Sequence, residues 1–130
     1  MKNQSIILFL SGIIIFLVFS CEKEKSICGC GKENPAKNIK WLDSVINYYE
    51  NDTSKNWDEV NLYMYDYKSS NAFVFETNKT RVYDVPITIF DCAGKVIFIC
   101  GGLQPPNIDS CNIFSQTASN KKLLWSIKYK

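Results

Sequence analysis

The stretch Val60-Asn61-Leu62-Tyr63-Met64-Tyr65 alternates aliphatic and more polar or aromatic side chains one by one. A period of two is the signature of a strand with one face buried. Immediately upstream the period is different. Ile39, Leu42, Val45, Ile46 and Tyr49 recur at helical spacing, and Trp41 and Tyr48 widen the stripe. Asn34 and Pro35 read as an N-cap followed by a first helical residue whose missing N–H costs nothing. The spacing therefore predicts an amphipathic helix from Pro35 to Glu50, stopped by Asn51-Asp52-Thr53, with a sheet beginning after it.

Downstream the alternation is repeated. Lys68-Ser69-Ser70-Asn71 reads as a turn, Ala72 to Thr77 as a second strand, and Val85 to Phe90 as a third whose Pro86 belongs at a start, edge or bulge. Asp91-Cys92-Ala93-Gly94-Lys95 is a tight turn in which Gly94 can take a positive φ, and Val96 to Cys100 is a fourth strand. Gly101-Gly102 ends it, and a long irregular loop pinned by Cys111 follows. Leu123 to Tyr129 makes a fifth strand, with Leu123, Trp125, Ile127 and Tyr129 on one side. One helix followed by about five strands in meander order is an α+β fold, an antiparallel sheet covered on its apolar face by the helix. The arrangement resembles a cystatin-like roll.

The N-terminus carries an address. Lys2 precedes an apolar run from Ile6 to Phe19, which Ser11 and Gly12 interrupt. The run has the length of a signal-peptide core and falls short of the roughly 20 residues that cross a bilayer. Val18-Phe19-Ser20-Cys21 closes it in the manner of a bacterial lipoprotein signal. The division expected is a signal peptide over 1–20, a solvated tether over 21–33 containing Glu22-Lys23-Glu24-Lys25, and one domain over 34–130. Lipid on Cys21 would anchor the domain to a membrane, since more than one acyl chain gives stable attachment.

Composition narrows the chemistry further. A formal net charge of +2 gives no reason to expect nucleic acid as a partner, and the absence of histidine rules out His-based zinc sites and Ser-His-Asp or Cys-His catalysis. Aromatic residues make up 14% of the chain, enough to build a core without a metal, so no cofactor is expected. Beyond Cys21 there are five cysteines, Cys28, Cys30, Cys92, Cys100 and Cys111, an odd number in a setting where disulfides are the default. Cys30, nearest the domain, is expected to join one of Cys92, Cys100 or Cys111, leaving the other two for each other. The alternative use of Cys28-Gly29-Cys30 is a redox dithiol or a soft-metal site built on thiolates.

The pattern Asn34-Pro35, Ile39-Lys40-Trp41-Leu42, Asp91-Cys92-Ala93-Gly94-Lys95-Val96-Ile97, Cys100-Gly101-Gly102 and Cys111 resembles a group of small uncharacterised bacterial lipoprotein domains. The resemblance implies a location in the bacterial cell envelope, lipid-anchored at the outer membrane with a periplasmic or surface face, and implies no activity. From the residues themselves, a small tethered binding or inhibitory module is expected, with protein, peptide or glycan as its ligand. Its contact surfaces would be the loops Lys68 to Asn71 and Leu103 to Asn112. Tyr63, Tyr65 and Tyr67 form a stripe that either adds to them as an exposed aromatic surface or, as the preferred reading, is covered by the loop or the C-terminal segment. Against an enzyme, the carboxylates Asp43, Glu59, Asp84, Asp91 and Asp109 show no paired spacing, and Asp91 is suited to accepting backbone N–H bonds in its turn.

Overall fold

The computed structural model describes residues 28–54, 56–80, 85–102 and 108–130, without the side chain of Cys28. The signal segment, Cys21, Asp84 and the Leu103 to Asn107 part of the second expected contact loop lie outside the described residues. A two-stranded hairpin comes first, β1 (Cys28–Gly29) and β2 (Lys32–Glu33), followed by helices α1 (Pro35–Asn38) and α2 (Lys40–Glu50). Strands β3 (Glu59–Tyr67), β4 (Ser70–Asn78), β5 (Ile87–Phe90) and β6 (Val96–Cys100) come next, then helix α3 (Ile108–Thr117) and strand β7 (Ser119–Lys128). The last five strands form one antiparallel sheet in the order β6-β5-β4-β3-β7.

Three sequence expectations are corrected at the N-terminal end. Residues 28–33 are not a solvated tether: Cys30 and Gly31, at φ 52° and 68°, turn a hairpin. That hairpin lies on the sheet, because a Cβ added to Gly29 would collide with the Met64 sulfur. The helix is also split. Ile39 is extended (φ −103°, ψ 109°), which directs its side chain into the core, 9% exposed, between two helical segments. Asn34 caps with its backbone rather than its side chain: it sits in the left-handed region, and its carbonyl accepts from Lys37 and Asn38 N–H.

The meander is corrected as well. After β6 the chain does not pair with it again; α3 carries it back along the sheet, and β7 adds beside β3 at the opposite edge. The expected irregular loop is thus a helix from Ile108 onward. Both faces of the sheet are covered. On one, α2 supplies Leu42 and Ile46 to a core with Ile39, Leu62, Met64 and Phe73. On the other, Cys111, Phe114 and Ala118 of the α3 segment pack on Tyr67, Ala72, Val74, Ile89 and Phe98. This two-sided burial explains why β3 and β4 run for nine residues each and why alternate residues on both sides are apolar.

The third and fifth strands also differ in extent from the sequence expectation. Val85 and Pro86 precede β5. In β7 the register slips between Leu62 and Tyr63, so Leu124 is an extra residue and turns toward the α2 core with Trp125, while Leu123 is left half exposed. Tyr48 is likewise not in the buried stripe but 67% exposed, since six residues from Leu42 it points roughly 120° away from the packed side.

Each layer is stapled to the β5–β6 edge of the sheet, at opposite ends of β6. Cys30–Cys92 ties the N-terminal hairpin to the β5–β6 turn, and Cys100–Cys111 ties α3 to β6. The turn itself is organised by Asp91, whose Oδ1 accepts from Ala93 and Lys95 N–H, both at 2.9 Å. Trp41 closes over it: its Nε1–H donates to the Cys92 carbonyl (3.1 Å), and a Cβ on Gly94 (φ 82°) would stand 2.8 Å from the indole.

The first bridge spans 62 positions and the second 11. Loop-closure entropy makes the longer one worth about 1.5 kcal/mol more. Replacing Cys30 and Cys92 together by serine should therefore lower unfolding stability more than replacing Cys100 and Cys111, as measured by urea denaturation. The reverse order would show that α3 depends on its bridge for more than chain closure.

Candidate binding surface

The α3-facing side of the sheet has two unequal halves. Near the β3–β4 turn, α3 covers it: Phe114 lies edge-on to Tyr65 (centroids 5.3 Å), Tyr67 (5.0 Å) and Phe98 (5.7 Å). Tyr67 is consequently only 6% exposed. Of the two readings of the Tyr63, Tyr65 and Tyr67 stripe, exposure does not hold for Tyr65 and Tyr67, because the segment after β6 forms a helix that sequence periodicity did not show and lies over both rings.

The other half is not covered by α3. There Asn61, Glu76, Thr77 and Asn78, with Val85 and Ile87, line a groove of about 310 Å³. Register explains how Asn61 and Glu76 come together. Asn61 stands directly opposite Glu76, and Tyr63 opposite both Val74 and Leu123, so all share the face that α3 covers farther along. At the boundary of the two halves sits a four-residue cluster. Lys121 reaches across β3 so that its Nζ lies 2.7 Å from Glu76 Oε1 and 3.8 Å from the centre of the Tyr63 ring. Its distance to the Tyr65 ring is 5.7 Å. The Tyr65 hydroxyl donates to the same Glu76 oxygen at 3.5 Å.

Electrostatics hold the cluster in its protonated, charged form. Burial pulls Lys121 toward its neutral form, but hydrogen bonds with Glu76 and Tyr65 and the Glu76 charge outweigh it, holding the ammonium above the ordinary lysine value. Burial is the main cause that pushes Tyr65 up, opposed by Lys121. Both groups therefore keep their protons at neutral pH, so neither is poised as a base or nucleophile.

A second polar chain fixes the covered end. The Asn71 side chain accepts from Cys30 N–H (2.7 Å) and donates to Asp66 Oδ1 (3.1 Å), while Asn120 donates to Asp66 Oδ2 (2.6 Å). It binds the N-terminal hairpin, β3–β4 and β7 into one unit. The expected contact loop at Lys68 is a two-residue hairpin turn with Lys68 and Ser69 at φ 46° and 59°; it is exposed and adjoins a shallow depression near Thr117.

The remaining sequence candidates are not brought together. Asp43 accepts from Asn47, Glu59 faces Lys128 at 3.5 Å, Asp91 holds its turn, and Asp109 lies in the first turn of α3. Cys30 is bonded to Cys92, so Cys28 and Cys30 are not a free dithiol. Among the described residues no group of three or more potential ligands could hold a metal.

A family model, Domain of unknown function (DUF6970), matches residues 48–127. The chain belongs to that family. The DUF6970 match runs from the C-terminal end of α2 into β7 and so takes in the five-stranded sheet up to Ile127, α3, the groove and the Lys121 cluster. It includes both partners of Cys100–Cys111 but leaves out Cys30, whose bridge joins the DUF6970 region to the hairpin before it. No curated protein and no solved structure matches the chain.

Glu76 and Lys121 were absent from the sequence candidates. They are 45 positions apart and on strands that flank β3 from opposite sides, so no local spacing marks them.

Lys121 should titrate above 10.5, the ordinary lysine value, when followed by NMR of its side-chain carbons. Because the folded value is raised, its contribution to stability is complete below that ordinary value and is lost as pH rises through the folded one. Titration at or below the ordinary value would show that the ion pair with Glu76 is not formed in solution.

Proposed function

We propose that this DUF6970 protein is an exported binding module, held on the bacterial envelope by lipid on Cys21, whose ligand surface is the open half of the α3-facing sheet. The observation that carries the reading is the partial cover. A sheet face that is buried by a helix at one end and left as a polar-walled groove at the other presents fixed backbone and side-chain groups on a rigid support.

One further observation supports the location. Cys30–Cys92 and Cys100–Cys111 suit an oxidising compartment. No helix among the described residues is long and apolar enough to cross a membrane. A binding role also fits the chemistry of the cluster, which holds its protons and its charges rather than exchanging them.

Two experiments test the proposal. Changing Cys21 to Ala should move the protein from the membrane fraction to the soluble one; persistence with membranes would remove the anchor. Hydrogen exchange on the wild-type protein with panels of short peptides and of oligosaccharides should show added protection confined to Asn61–Tyr63 and Glu76–Asn78. Failure of both panels to protect these amides would overturn the binding surface.

A further inference from the structure

The cluster at the head of the groove already shows what it can hold. A primary ammonium sits over the face of Tyr63, within reach of Tyr65, and meets a single carboxylate oxygen that also accepts from the Tyr65 hydroxyl. Aromatic faces and a carboxylate around one point charge are the chemistry of cation recognition. The occupant is Lys121, a residue of an irregular edge strand. It belongs to the part of β7 where the register against β3 slips between Met64 and Asp66, next to Asn120 at φ 52°. Its side chain is 44% exposed and that of Glu76 34%, so the contact can be reached from solvent.

We infer that Tyr63, Tyr65 and Glu76 form a receptor for the lysine side chain of a peptide, which Lys121 occupies in the free protein. This rests on the binding reading above and names its ligand. Lysine fits better than arginine because Glu76 offers one oxygen to the cation, whereas a guanidinium is best matched by a two-oxygen fork. The adjoining groove supplies what the rest of a peptide needs. Asn61 and Asn78 carry amide donors and acceptors for a main chain, and Val85 and Ile87 give an apolar wall. An incoming lysine displaces Lys121 into solvent and takes over its contacts, so the intramolecular lysine acts as a competitor that sets the threshold for binding.

The test uses an acetylated, amidated pentapeptide with a central lysine between alanines, and the same peptide with glutamine at the centre, followed by amide NMR shifts at pH 7. The lysine peptide should shift Tyr63, Tyr65 and Glu76, and the glutamine peptide should bind about tenfold more weakly or not at all. Lys121→Ala should bind the lysine peptide several-fold more tightly than wild type, a gain that misfolding cannot produce. Glu76→Gln should lose about tenfold. Equal affinity of Lys121→Ala and wild type, or shifts that avoid the cluster, would overturn the inference. If a cello-oligosaccharide shifts Asn61, Asn78 and Ile87 and the lysine peptide does not, the lysine receptor fails while the binding module stands; if the peptide and oligosaccharide panels also leave these amides unchanged, both fail.

Discussion

Burial of the β3–β4 ribbon on both faces is the constraint from which the rest of the structure follows. Leu62, Met64 and Phe73 are under 2% exposed against α2, and Ala72 and Val74 are as well sealed against the α3 side. A ribbon with two apolar faces cannot stand with one side in water, because exposing that second set would forfeit about 25 cal/mol for each Å² uncovered. Something must therefore cross over to the second face. The segment between β6 and β7 does so, and by crossing it delivers β7 to the far edge beside β3. Topology here is a consequence of which surfaces need cover.

The cover on the second face is short. α3 has ten residues, and only Cys111 and Phe114, with Ala118 just past its end, pack on the sheet. It lies at the β6 end, where Cys100–Cys111 holds it. Its limited reach divides the sheet face into a covered aromatic end and an open polar end, and the Lys121 cluster stands at the border. The aromatic residues follow the same division. Tyr67 and Phe98 are buried, while Tyr63 takes a lysine as its partner instead of another ring.

Edges show a related economy. Strand β7, at one edge of the sheet, carries Lys121, Lys122 and Lys128 and two register shifts, devices that discourage further strand pairing. The bulge that weakens the edge also aims the side chains: it turns Leu124 inward, leaves Leu123 outside, and frees the stretch from which Lys121 reaches Glu76. The ends of the long strands are tied together in turn. Asp58 donates its N–H to the Asn78 carbonyl and its own carbonyl accepts from Tyr129 N–H. Its carboxylate accepts from the Thr80 hydroxyl at 2.6 Å and from the Thr80 N–H, and these two bonds hold it below the ordinary carboxylate range.

The sequence by itself determined the local patterns. The change of period at Val60 marks helix before sheet, Asp91 to Lys95 announces a tight turn, and Val96 to Cys100 is read with its observed bounds, because each of these depends on neighbours within a few residues. What only the tertiary structure decided depends on distant partners. Ile39 breaks the helix because the core has a place for its side chain, and the bulge at Leu124 reverses an alternation that looked unbroken. The two cysteine pairings and the meeting of Glu76 with Lys121 join residues 62, 11 and 45 positions apart, and the crossing of the chain by α3 links opposite edges of the sheet. Such meetings are fixed by which faces are buried and which strands lie side by side, and neither is encoded in the spacing of residues along the chain.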